Sequence, residues 1–162
     1  MNISVSKTTA QMAVQAAKFA AREINRAIGE KGEARILLAT GESQIEAIRC
    51  LTEEAVDWSK VVMFHLDEYM DLPETHIASF RKYLKERFVN IVNPKEAYLV
   101  DGEGDVKANI ETITEKLKEA PIDVAFIGIG ENGHVAFNDP PADFTTDEAY
   151  IIVDLDEKCK QQ

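Results

Sequence analysis

Cysteine occurs only twice in the 162 residues, as Cys50 and Cys159, without a Cys-x-x-Cys pair or a Cys/His spacing that would suit zinc. No disulfide framework is suggested, and reduced thiols in a cytoplasmic protein are the expectation. Long apolar runs are missing too. No stretch approaches the ~20 apolar residues of a membrane span, and the start Met1-Asn-Ile-Ser-Val-Ser-Lys7 has no apolar core of a signal peptide. Positive charge is scarce: 18 Lys and Arg face 29 Asp and Glu, for a formal net charge of −11. Such a field repels phosphate polymers and anionic membranes, so neither nucleic acid nor membrane is expected as a partner. A small phosphorylated metabolite stays open, because a local pocket can outweigh the global field. No repeat, low-complexity tract or linker interrupts the chain, which reads as one domain over residues 1–162, with 45% hydrophobic residues to build a core.

What is present is an alternation of helical and extended patterns. Residues from about Lys7 to Ile28 place Met12, Ala16, Phe19, Ala20 and Ile24 at helical spacing, ending in Gly29 and Gly32. Arg35 to Thr40 is a short apolar strand, followed by a turn in which Ser43 is expected to cap a helix running to about Glu54. Val61 to Leu66 is a second strand, Ser79 to about Val89 a helix, and Asp105 to Glu119 another helix before Pro121. Ile122 to Ile127 is a third strand, and Tyr150-Ile-Ile-Val153 is the candidate for a fourth. Strands alternating with helices predict an α/β fold, a three-layer αβα sandwich on a mostly parallel, Rossmann-like sheet.

Ligands in such sheets gather at the carboxyl ends of the strands. Three polar segments stand there: Thr40-Gly41-Glu42-Ser43, Asp67-Glu68-Tyr69, and Gly128-Ile-Gly-Glu-Asn-Gly-His134-Val-Ala-Phe-Asn-Asp139. The first is either a phosphate cradle, made of backbone N–H groups at a helix start with the Thr40 and Ser43 hydroxyls, or an ordinary strand-to-helix turn. Glu42 would have to point outward beside a phosphate. Asp67, just past a buried strand, is either a carboxylate made basic by desolvation or a solvated cap. In the third, glycines let backbone approach a ligand, and the histidine brings a side chain that titrates near neutrality. His65, inside an apolar run, reads as a satisfied core histidine. His76, in a loop, is open between a binding role and plain exposure.

Taken in order, Phe64-His-Leu-Asp-Glu-Tyr69, Leu72-Pro-Glu-Thr-His76, Ser79-Phe80 and Gly128 to Pro140 resemble the successive motifs of the glucosamine-6-phosphate deaminase/isomerase family, over nearly the whole chain. The related 6-phosphogluconolactonases share the architecture but usually carry Asp-Glu-Arg and Gly-His-Thr at these places, so Asp67-Glu-Tyr69 and His134-Val-Ala-Phe-Asn138 favour the deaminase branch. The resemblance implies conversion of glucosamine 6-phosphate and water to fructose 6-phosphate and ammonia, with no metal and no cofactor. In it Asp67 matches the base that moves a proton between C2 and C1. His134 matches the residue that shuttles a proton in ring opening, and Thr40 to Ser43 match the phosphate loop. It also implies that the family's C-terminal part, with basic residues that grip the sugar phosphate, is missing after Gln162. Homo-oligomers are common in that family.

Two catalytic positions depart from the pattern. Asn132 stands where family members commonly have Asp, and Asp139 where they have Glu. An amide can set the tautomer of His134 but cannot stabilise an imidazolium as a carboxylate does. A lactonase, a non-catalytic sugar-phosphate sensor and a purely structural α/β domain are the other readings. In full-length protein, Asn132→Asp is expected to change the pH profile of activity; identical profiles would remove the electrostatic difference.

Overall fold

A computed structural model describes residues 2–130, 133–138 and 141–155. Helix α1 (Thr9–Lys31) opens on Thr8, whose hydroxyl accepts from the Gln11 N–H, and ends at Gly32 with a left-handed φ of 80°. Its buried stripe is Ala13, Ala17, Ala20, Ala21, Ile24 and Ala27, a run of small side chains that lets α1 lie close along α2 (Glu42–Thr52) and the sheet. The stripe is rotated from the expected one: Phe19 is exposed and carries the Arg22 guanidinium over its ring.

Strands β1 (Ala34–Leu38), β2 (Val61–His65), β3 (Glu96–Tyr98) and β4 (Val124–Phe126) form one parallel sheet in the order β3-β2-β1-β4. The register aligns Leu38 with His65 on one side and with Phe126 on the other, so the three chains leave the sheet at one level. Alternate residues face opposite layers. Ile36, Leu38, Val61 and Met63 pack with α1, α2 and the helical segment α3 (Phe80–Leu84), which widens into a π turn (Lys85–Val89) and closes as α4 (Asn90–Val92). Val62 and Phe64 face α5 (Val106–Lys118), with Tyr98 stacked on Phe64 at 5.1 Å. The expected layers are therefore present.

Two expectations about the sheet change. The fourth strand is Glu96–Tyr98, a short polar edge after Pro94, while Tyr150–Val153 forms no strand. β-branched residues make a strand only where a ladder receives them. Here Ile151 and Ile152 are exposed, and the Tyr150 hydroxyl donates to the His65 carbonyl at 2.7 Å. Ser43 is also not the cap of α2, which starts from Gly41 without a side-chain cap.

Arg35 ties the α5 crossover to the sheet. Its buried guanidinium donates to the carbonyls of Ala120 (2.6 Å), Leu117 (3.2 Å) and Lys116 at the carboxyl end of α5, and lies over the Phe64 ring at 4.8 Å. Arg35→Met keeps the apolar stem but strands three carbonyls. It is expected to cost about 2–4 kcal/mol, read as a lower midpoint in urea unfolding.

Candidate active site

The strand order reverses between β1 and β4, and a cavity of about 650 Å³ opens at their carboxyl ends. All three polar segments meet in it. Thr40, Gly41, Glu42 and Ser43 enter from the β1 end, Asp67 and Tyr69 from the β2 end, and Gly128, Gly130 and His134 from the β4 end. Asn132 and Asp139 lie outside the described residues. His76 is not part of this wall; its Nδ1 accepts the Ala78 N–H at 3.1 Å. Glu42 is exposed and also lines the cavity.

The β1 end presents an open helix terminus. Gly41 supplies no side-chain cap, so the first turn of α2, whose Gln44 N–H donates to the Gly41 carbonyl at 2.8 Å, borders the cavity without a capping side chain. Thr40 Oγ1 is enclosed and has no hydrogen-bond partner among the described residues. Gln44 joins this wall: it is 7% exposed, and its amide donates to Ser43 Oγ at 3.3 Å.

The β2 end holds the carboxylate. Leu66 N–H donates to the Leu38 carbonyl at 3.0 Å, extending the β1–β2 pairing to the residue before Asp67. Asp67 Oδ1 is enclosed and has no partner among the described residues. Burial, and secondarily the Glu68 charge, push its carboxyl up to about 7. A carboxylate balanced near neutrality is suited to take a proton and give it back. His65, two residues earlier, is fully buried, but neither ring nitrogen has a hydrogen-bond partner among the described residues. It is thus a core histidine but not the satisfied one expected. Burial, and then the nearby Arg81 charge, lower its pKa to about 3, so it stays neutral.

The β4 end carries the imidazole. Gly130 N–H donates to the His134 carbonyl at 2.9 Å, and Gly133 N–H to the Gly130 carbonyl at 2.9 Å. A Cβ at Gly130 would sit 2.2 Å from His134 Cε1, so the ring occupies the space where any other residue would project. Tyr69, Phe80 and Phe137 complete the wall, with ring centroids 4.9 to 5.9 Å apart, and bind the loops after β2 and β4 to the start of α3. Tyr69 lies in one of the three polar segments, whereas Phe80, Phe137 and Gln44 are site residues that the sequence does not single out. Their signal was position, since each sits within or beside a polar motif.

Residues 7–162 match the family described as glucosamine-6-phosphate isomerases/6-phosphogluconolactonase. The chain belongs to this family. It is 41% identical over 108 residues to a glucosamine-6-phosphate deaminase of Streptococcus suis, covering 66% of this chain and 46% of that one. Against the glucosamine-6-phosphate deaminase of Halothermothrix orenii it is 33% identical over 169 residues, covering 99% of this chain and 68% of the relative. The solved structure of a monomeric glucosamine-6-phosphate deaminase superposes with a TM-score of 0.87 at 25% identity, over 99% of this chain and 68% of that one. The chain therefore spans about half to two thirds of the length of these relatives. Among the described residues, no helix is long and apolar enough to cross a membrane, and no group of three or more His, Cys, Asp or Glu is arranged to hold a metal ion.

Asp67 makes the site and the fold compete. A carboxyl whose folded pKa is raised favours the folded state while it stays protonated. That contribution is whole below the unfolded value near 3.8 and is lost as pH rises through about 7. Asp67→Asn is expected to raise the unfolding temperature at pH 8, by a stability on the order of a few kcal/mol, and to leave it nearly unchanged at pH 3.5. Thermal melts across that range are the measurement.

Proposed function

We propose that this domain carries the acid–base site of a glucosamine-6-phosphate deaminase, a cytoplasmic enzyme of amino-sugar metabolism that converts glucosamine 6-phosphate and water to fructose 6-phosphate and ammonia. The observation that carries the reading is that Asp67, with its carboxyl held near 7, and His134 open on one cavity at the edge of the sheet. In this reading His134 takes the proton from the O1 hydroxyl and returns one to the ring oxygen as the C1–O5 bond breaks. Asp67 then removes the C2 proton as a proton of the C2 ammonium group passes to O1, giving an enolamine, and Asp67 delivers the proton it holds to C1. Water adds to the resulting C2 imine, and ammonia leaves. Besides these proton transfers the steps are ring opening, hydration of the imine and loss of ammonia, and the proposal includes no metal or organic cofactor.

The first turn of α2, with the Thr40 and Ser43 hydroxyls, is the proposed seat of the phosphate. Among the described residues the cavity wall includes the carboxylates of Glu42 and Asp67 but no Lys or Arg. Binding at this end would rest on backbone and hydroxyl groups, without the stronger charge-assisted hydrogen bonds. The partner is a small sugar phosphate; a homo-oligomer is compatible with the reading but is not required by it.

The deciding assay measures ammonia released from glucosamine 6-phosphate. Turnover is expected to fall by ~10²–10⁴-fold in Asp67→Asn and in His134→Asn, because each removes one positioned proton transfer. Hydrolysis of 6-phosphogluconolactone without ammonia release would replace the deaminase reading with the lactonase one. Saturable binding without turnover would make the domain a sugar-phosphate sensor.

A further inference from the structure

Glu68 follows Asp67 in the chain yet takes no part in the wall of the cavity that contains His134. Its side chain is fully buried, and an unpaired carboxylate there would be costly. It is instead densely held. Oε2 accepts from the Ser79 hydroxyl at 3.0 Å and from the Arg81 N–H at 2.7 Å, while Oε1 accepts from the Phe80 N–H at 3.1 Å and from the Tyr69 N–H at 3.0 Å. The Arg81 guanidinium stands 3.4 Å away and is itself only 5% exposed. It reaches on to the Leu72 carbonyl at 3.0 Å, to Glu103 at 2.8 Å and to Asp101.

The same loop is pinned a second time. Asp71 N–H donates to the Gly102 carbonyl at 2.9 Å, and a Cβ at Gly102 would lie 2.1 Å from the Tyr69 carbonyl oxygen. The loop after β3 is thus pressed against the loop after β2. Asp67 sits between the sheet, fixed through Leu66, and this knot of buried charge.

We propose that Glu68 is a positioning residue for Asp67: clamped between the start of α3 and Arg81, it fixes the backbone that bears Asp67 and keeps a negative charge beside that carboxyl. The inference deepens the proposed reaction and rests on reading Asp67 as its base. The Glu68 charge adds to burial in holding the Asp67 carboxyl high. The other titratable groups lining the two cavities that Asp67 borders are Tyr69 in both, Glu42 and His134 in the first, and Asp71, Tyr150 and Asp154 in a second beside it, with Arg81 and His65 on the Glu68 side. Among these, Glu68 is the one joined to Asp67 by a peptide bond and fully buried.

Glu68→Gln keeps the shape but removes the charge and one of the two accepting oxygens, leaving an amide NH2 against two of the four donors. The test follows the Asp67 carboxyl carbon by ¹³C NMR through a pH titration of the folded protein, assigned with Asp67→Asn. Its midpoint is expected to fall by about one pH unit in Glu68→Gln. A midpoint equal to that of the unsubstituted protein, in a folded variant, overturns the proposal whatever the loss of thermal stability. If Glu68→Gln does not fold, Ser79→Ala removes one donor to Glu68. Hydrogen exchange across residues 67–69 is then expected to quicken about tenfold, and unchanged exchange overturns the proposal. Neither readout requires turnover, so absence of deaminase activity would remove the proposed function while leaving this inference to be judged by the titration.

Discussion

β1 lies between β2 and β4 with all three strands parallel, and this constraint organises everything built on the sheet. The chain steps from β1 to β2 to β3 in one direction, with α2 and α3 packed on one face. It then has to return across β1 to reach β4. A right-handed crossover in the reverse direction puts its helix on the other face, where α5 is found. The loops leaving β1 and β4 both border the cavity that opens at this switch point. Arg35, on β1 itself, holds the end of the returning helix. The residue that secures the reversal thus lies on the strand beside which the site opens.

Asp67 shows what that architecture does to chemistry. At the surface its carboxyl would be an ordinary acid. At the end of a buried strand, enclosed by the Tyr69, Phe80 and Phe137 rings, it loses water that no hydrogen bond among the described residues replaces at Oδ1. The same desolvation disfavours the ionised folded state and makes the group a stronger base. The cost is tolerable only because the neighbouring backbone is held so firmly, through Leu66 on one side and Glu68 on the other.

Much of this was legible in the sequence, and the misses share a cause. Periodicity marked α1, α2 and α5, and apolar runs marked β1, β2 and β4, because burial on both faces of a parallel strand leaves a continuous apolar signature. Glu96–Tyr98 left none: a three-residue edge strand is defined by its pairing with β2, not by its own side chains. Tyr150–Val153 shows the converse, strong strand propensity with no ladder to join. At the site, Thr40, Asp67 and His134 were found by their place after strands. Gln44, Phe80 and Phe137 were missed because a glutamine or phenylalanine in a helix's first turn, and a phenylalanine in a loop, declare their role only once three loops converge. A structural hydrogen-bonding role for Glu68 is open to a reading of the sequence, but its partners are not, since they come from α3 and from the loop after β3.

The electrostatics of the cavity limit what its wall can do by itself. With Glu42 at the rim, Asp67 within and no Lys or Arg among the described lining, fixed charge favours the amine of an amino sugar over its phosphate. The countervailing positive element is the open first turn of α2, whose partial charge is about half a unit and acts only at short range. Among the described residues of the wall, that turn is the proposed seat of an anion. This would place the phosphate at the β1 end and leave the sugar ring lying toward β2 and β4, between Asp67 and His134. On the proposed reading, charge placement as well as shape would favour the orientation needed for proton transfer at C1 and C2.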